Sequence, residues 1–197
     1  MSDHLDGAPA TIPAPTILFI CTANQCRSPM AEALATAWVQ QHGVVAGISS
    51  AGVLPGDVPV QPGAVRALRR RGIDWSAHRS RQISPAYLEW AQLIVTMERT
   101  HLMHLAEISP AVVDRSFPLR ELDALVALVG PRRSDESLLA WSHRASAARL
   151  PGAVVHYGTD DDVADPMGKG NRAFRRTAEE LEALIGRVLT AALPPGS

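Results

Sequence analysis

Apolar positions follow two periods along this 197-residue chain. Residues 16–20, Thr-Ile-Leu-Phe-Ile, are a continuous apolar run bounded upstream by Pro13 and Pro15. Such a run predicts a buried, central, parallel strand. A short polar loop follows, and then the period changes. From about Pro29 to His42 the residues Met30, Leu34, Ala37 and Trp38 share one helical face, and Gly43 suits the position past its end. Ser28 reads as the N-cap, Pro29 as the first helical residue and Glu32 as a first-turn acid. Residues 48–52 predict a second strand and its exit, 54–62 a Pro/Gly-rich loop, and 63–71 a helix stopped by Gly72. A short helix is expected over 85–90 and a buried strand over 93–95. A helix capped by Thr100 should run to about Ala106, with a fourth strand over 112–117. Residues 121–129 and 135–149 have helical spacing broken by Gly130-Pro131, and read as a helical insertion at about 121–152. Residues 154–158 carry little pattern, and 171–193 form a final amphipathic helix. The alternation predicts an α/β three-layer sandwich with a central parallel sheet of about four strands and helices on both faces. Residues 1–15 are expected to be a disordered tail and 16–197 a single domain.

Composition narrows the class. Hydrophobic residues make up 46% and charged residues 20%, which suits a globular protein. The net charge of -1 offers no general attraction for nucleic acid or a membrane surface. No apolar stretch is long enough to span a bilayer, and the start of the chain lacks the order of a secretory signal. Both cysteines lie in one loop, which points to a reducing, cytoplasmic setting and to reactive thiols.

That loop carries the chemistry. Cys21 and Arg27 frame Thr22, Ala23, Asn24, Gln25 and Cys26 between a strand and a helix start. Unpaired N–H groups and the dipole at a helix N-terminus favour an anion. A cysteine placed there has its thiolate stabilised. Arginine offers a planar fork for two oxygens of a phosphate-like group. Asn24 tolerates the left-handed backbone that a loop with inward-facing N–H groups needs. A structural thiol and a surface arginine would be the bland account, but strand, loop and Ser-Pro helix start together favour a phosphoryl-transfer site.

The run from Cys21 to Glu32 resembles the phosphate loop of the low-molecular-weight protein tyrosine phosphatases, with Ala23 where that family usually has Gly. The resemblance implies hydrolysis through a cysteinyl-phosphate, without metal or cofactor. Cys21 would be the nucleophile, Arg27 the phosphate clamp, and Asp165 of Asp165-Pro166 the general acid and base. Residues 22–28, Ser28 included, would bind phosphate. It also implies that Asn24, Ser28, Ser50 and His78 support the loop, with Ser28 stabilising the thiolate. His101 and His104 lack an evident third ligand and read as surface histidines. Arg69, Arg70 and Arg71 read as compensation of a helix C-terminus, with a docking patch for an acidic substrate region as the alternative, whereas Arg172, Arg175 and Arg176 oppose a helix dipole, with Asp160, Asp161 and Asp162 as available partners or solvated acids.

Family members acting on phosphotyrosine usually carry aromatic residues after the Asp-Pro pair and often in the loop after the second strand. Here Met167-Gly168 follow the pair, and the 54–62 loop has no aromatic. The pocket residues are therefore Met167 and Leu54, with Tyr157, Trp75 or Trp141 as candidates to rebuild a wall. The expected substrate is a phosphorylated protein or a small-molecule phosphate. The alternatives are a small-molecule, non-aryl phosphatase, an arsenate reductase relying on an external thiol, and a module that only binds phosphate. Cys26 either packs beneath the loop or resolves an oxidised Cys21 as a disulfide.

Overall fold

In the computed structural model, which describes residues 14–150 and 160–194, four parallel strands form one sheet in the order β2-β1-β3-β4. They are β1 (Thr16–Cys21), β2 (Gly47–Gly52), β3 (Leu93–Thr96) and β4 (Ser116–Pro118). β1 is central: Ile17 is in register with Ile48 and Leu93, and Phe19 with Ser50 and Val95. Successive side chains of a strand point to opposite faces. Ile17, Phe19 and Cys21 accordingly enter one core, Leu18 and Ile20 the other. Both faces are covered, which explains the unbroken apolar run.

The larger layer holds α1 (Arg27–Gln41), α2 (Pro62–Arg69), α5 (Leu119–Val129), α6 (Leu138–Ala147) and α7 (Gly170–Ala192). The smaller holds α3 (Pro85–Trp90), α4 (Arg99–Ile108) and a 3₁₀ turn (Pro110–Arg115). The long helix α7 binds the larger layer together through Phe174, Ala178, Leu181, Ile185 and Val188, all buried. Burial of each large aliphatic side chain contributes about 1.5–3 kcal/mol. Beneath Phe174 lies Gly63, where a Cβ would come within 2.4 Å of the ring, so α2 and α7 approach closely only with glycine there.

Several local expectations change. α1 starts at Arg27, with Cys26 as N-cap and no side-chain cap. Ser28 is therefore inside the first turn, its hydroxyl occupied by Cys21 and Asn24, and Glu32 lies beyond that turn, buried. The first-turn N–H groups are left for what the loop encloses. Thr100 does not cap α4, which begins two residues earlier, at Arg99, with Glu98 as N-cap. The apolar run at 112–117 divides: Pro110 opens a 3₁₀ turn, which buries Val112, and only Ser116–Pro118 is strand. Ser116 Oγ donates to Val112 O at 2.7 Å and closes that turn.

α5 and α6 occupy the segment read as an insertion, and both contribute to the larger core. Trp141 is fully buried and donates its indole N–H to Gly130 O at 3.1 Å, so it is core rather than substrate wall. Trp75 packs against the same core. Arg149 lies over the Phe117 ring at 4.1 Å and pairs with Glu121, tying the end of α6 to the sheet. Most of the expected tail, the 154–158 segment and Tyr157 fall outside the described residues. No described helix is long and apolar enough to cross a membrane.

Candidate active site

In the order β2-β1-β3-β4 the chain direction of strand placement reverses at β1, and ligands of open α/β sheets bind at the carboxyl ends beside such a switch point. The Cys21–Arg27 loop leaves β1 there, and Met97-Glu98 leaves β3 beside it. The loop is braced by backbone bonds to the strand exit: Val53 N–H donates to Cys21 O at 3.2 Å and Leu54 N–H to Thr22 O at 2.9 Å. On the other side Gln61 N–H donates to Gln25 O at 2.9 Å, and the Gln61 side chain donates to Gln25 Oε1 at 3.1 Å. Gly52 lies so close that a Cβ there would meet Asn24 N at 2.7 Å and Thr22 O at 2.9 Å.

Asn24 takes the left-handed backbone, φ 51°, and is fully buried. Its side chain is satisfied from four directions. The amide nitrogen donates to Ser28 Oγ at 2.9 Å and Ser50 Oγ at 2.7 Å. The oxygen accepts from Arg81 N–H at 2.8 Å and His78 Nε2 at 3.1 Å. His78 Nε2 faces a second acceptor, Asn24 O at 3.3 Å, which assigns the proton to that nitrogen. Burial lowers the His78 pKa, with the Glu32 charge opposing and Arg81 adding to it. Behind these groups Ser50 Oγ donates to Glu32 at 2.6 Å, and Arg81 donates to both Glu32 oxygens at 2.7 and 2.6 Å. The expected supports are thus brought together, and Glu32 and Arg81 join them. Their signal in the sequence was weak, since either reads as an ordinary helix or loop charge.

Ser28 Oγ donates to Cys21 Sγ at 3.0 Å. Arg27 is 2% exposed. Its Nη1 donates to Glu98 and to Val163 O at 3.0 Å, and its Nη2 to Asp165 Oδ2 at 3.2 Å. Of five guanidinium protons these contacts take three, so Nε–H and one Nη2–H remain to donate to an anion in the loop. Asp165 Oδ1 accepts from Met167 N–H at 3.0 Å, which orients the carboxyl. Val163 N–H donates to Met97 O at 2.9 Å, so the acid-bearing loop is fastened to the β3 exit. Leu54 and Met167 are 49% and 41% exposed.

Two residues outside the expected set complete the site. Glu98 pairs with Arg27. Burial pushes its carboxyl up, but the hydrogen bond and charge of Arg27 outweigh this and hold it below the usual carboxylate range. His101 is 3% exposed, not a surface histidine. Its Nε2 meets Thr22 Oγ1 at 3.0 Å and lies 3.8 Å from Glu98 Oε2. Its Nδ1 is buried without a partner. Burial pushes its pKa down to about 4. A helical wheel hinted at this, since His101 shares a face with the buried Leu105. His104 is half-buried beside the exposed Glu107, so the two histidines diverge. Of the three acids before Asp165, Asp160 is exposed as expected, whereas Asp161 pairs with the Arg99 side chain and Asp162 accepts from Arg99 N–H at 2.9 Å.

A thiol hydrogen-bonded at a helix N-terminus, beside an arginine with donors to spare and an adjacent carboxyl, defines a cysteine-dependent phosphatase of α/β architecture. Residues 16–124 match the family model described as low molecular weight phosphotyrosine protein phosphatase, and the chain belongs to that family. It is 31% identical over 173 residues to a protein-arginine-phosphatase of Geobacillus stearothermophilus, covering 87% of this chain and 92% of the relative. It is 40% identical over 175 residues to an arsenate reductase of Brevibacillus brevis, covering 86% and 90%. Among solved structures, the low molecular weight protein tyrosine phosphatase from T. tengcongensis superposes with a TM-score of 0.68 at 30% identity, covering 89% of this chain and 98% of the other.

Proposed function

We propose that the protein is a phosphoprotein phosphatase in which Cys21 attacks phosphorus, and that its preferred substrate is a non-aryl phosphate, phosphoarginine first among them. The Cys21 thiolate forms an S–P bond as the bond from phosphorus to the leaving atom breaks. Asp165, protonated, gives its proton to that atom. In the second step Asp165 takes a proton from water, the water oxygen bonds to phosphorus, and the S–P bond breaks to return the thiolate. Ser28 Oγ, 3.0 Å from Cys21 Sγ, stabilises the thiolate in both steps. The spare Arg27 donors and the loop N–H groups hold the equatorial oxygens as charge shifts among them.

The observation that carries this reading is the convergence of Cys21, Ser28, Arg27 and Asp165 at one strand end. The substrate class rests on the mouth. Leu54 and Met167 offer aliphatic surface, and neither the 54–62 loop nor the residues after Pro166 supply a ring to stack on phosphotyrosine. The Glu98 carboxylate beside Arg27 suits a cationic guanidinium leaving group. The likeness to a protein-arginine-phosphatase over 87% of the chain agrees. Comparing kcat/KM for phosphoarginine, phosphotyrosine and alkyl phosphate peptides tests it. Phosphoarginine should lead phosphotyrosine by at least ~10-fold, about 1.4 kcal/mol in transition-state binding. A lead for phosphotyrosine would overturn the substrate class.

The arsenate reductase likeness gives a second reading its footing. Arsenate reduction draws two electrons from thiols, and the chain has only Cys21 and Cys26, both in the loop. Turnover would need an external thiol and would leave Asp165 without a task. A thiol-coupled arsenate assay run beside the phosphatase assay separates the two.

A further inference from the structure

A basic face runs from the acid-bearing loop along the start of α7 to α2. One cleft is lined by Arg66, Arg70, Arg172 and Arg175. A second, sharing Arg172, is lined by Lys169 and Arg176 and reaches Asp165 and Pro166. Six cations thus gather beside the site in a chain of net charge -1, so the face is a local excess. Compensation within the face is small. Arg66 donates to Asn171 Oδ1 at 2.7 Å, which joins α2 to α7 without cancelling charge. Arg175 has Glu179 at 3.6 Å. Arg70, Lys169, Arg172 and Arg176 form no ion pair among the described residues, and the nearby Glu180 is taken by Arg120 at 2.6 Å.

Folding gives no reason for this placement. Cations in the first turns of a helix oppose its dipole, and like charges at i,i+3 and i,i+4 repel. Arg172, Arg175 and Arg176 do both on α7. A cleft dominated by one sign of charge and leading to a reaction centre concentrates ligands of opposite sign.

We propose that this face docks an acidic polypeptide segment flanking the phosphorylated residue of a protein substrate, a reading that rests on the phosphatase function above. The segment lies along α7 with its carboxylates on Arg70, Arg172 and Arg176 while the phosphorylated residue enters the loop. Among the described residues none of these three arginines forms a hydrogen bond or ion pair with the Cys21–Arg27 loop or with Asp165, so charge reversal there acts on recruitment rather than on the reacting groups.

The test uses the full chain and the triple variant Arg70→Glu/Arg172→Glu/Arg176→Glu, with a Gln version to control for new repulsion. Substrates are phosphopeptides with acidic or neutral flanks on either side, and a small phosphate. For an acidic-flanked peptide, reversal should raise KM by ~10-fold with kcat unchanged, and about 0.5 M salt should do the same to the unmodified protein. The small phosphate should be indifferent to both. Fluorescence anisotropy of the acidic peptide on Cys21→Ser measures docking without turnover, so a failure of the phosphatase reading leaves docking measurable. The proposal is overturned if flank charge is irrelevant to KM and anisotropy, if reversal depresses all substrates equally, or if single-stranded nucleic acid binds this face and acidic peptide does not displace it.

Discussion

Replacing His101 with glutamine should remove much of the protein's acid sensitivity between about pH 7 and 4. The unfolded imidazole takes its proton near 6.5, whereas the folded one does so only at about 4. Burial is the main cause; the Glu98 charge opposes it and Arg27 adds to it, with Asp165 and His104 as smaller opposite influences. Between those values the unfolded chain binds the extra proton. The stability contributed by neutral His101 is therefore complete above about pH 6.5 and is lost as pH falls toward 4. At 1.36 kcal/mol per unit, integration gives a loss of about 2 kcal/mol at pH 5 and roughly 3 kcal/mol near pH 4. Glu98, held below the usual carboxylate range, acts with the same sign but only below about 4.5, outside most of this window. His78 shares the window and is present in both proteins, so the difference between them isolates His101. Glutamine can still hydrogen-bond Thr22 and cannot titrate, so the cost at neutral pH should stay near ~1 kcal/mol. Urea unfolding at a series of pH values is the assay. The His101→Gln midpoint should decline more shallowly, by the equivalent of ~2 kcal/mol between about pH 7 and 5. Parallel declines would refute the account of a buried neutral imidazole.

Asp165→Asn should slow hydrolysis of substrates with poor leaving groups by ~10²–10⁴-fold and that of a highly activated aryl ester much less; equal losses would remove its acid role. Gly52→Ala must displace the loop backbone, since a Cβ would lie 2.7 Å from Asn24 N, so kcat/KM should fall ~10-fold or more while the circular dichroism spectrum is kept. Burial first, then the Asp165 and Cys21 charges, push the Cys26 thiol up to about 12 against the influence of Arg27, so it attacks oxidised Cys21 slowly at neutral pH. Mild peroxide should therefore inactivate the protein and Cys26→Ala at equal rates, and dithiothreitol should rescue both to the same extent; better rescue of the unmodified protein would reveal a Cys21–Cys26 disulfide and overturn this reading.

Periodicity made the strands and the long helices legible, because β1 is buried on both faces and α7 on one. It could not place the 3₁₀ turn before β4, since a short apolar run fits a turn or a strand and only tertiary context chooses. The loop was legible because its chemistry is local: Cys21, Asn24, Arg27 and Ser28 lie within one turn of chain. Glu98, Arg81 and His101 act on that loop from distant segments, and a charged side chain carries no mark of the partner it will meet. His101 and His104 make the point, being three residues apart with opposite fates, because the register of α4 turns one to Thr22 and the other to solvent.

The polar network behind the loop is best understood as fixing direction rather than adding stability. A left-handed Asn24 costs on the order of 1–3 kcal/mol, and its four hydrogen bonds return ~0.5–1.5 kcal/mol each. The half-buried Glu32–Arg81 pair adds little net, since desolvation of Glu32 offsets its attraction. Those four bonds come from α1, from β2 and from the segment carrying His78 and Arg81. Elements that meet only in the finished fold therefore impose the conformation, and the loop N–H groups are aimed before any anion arrives. A floppy loop would offer the same donors but would have to order them on binding, at a cost taken from the transition state. Gly52 fits the same logic: the absence of its side chain lets β2 press against the loop, so the sheet itself becomes one wall of the mould.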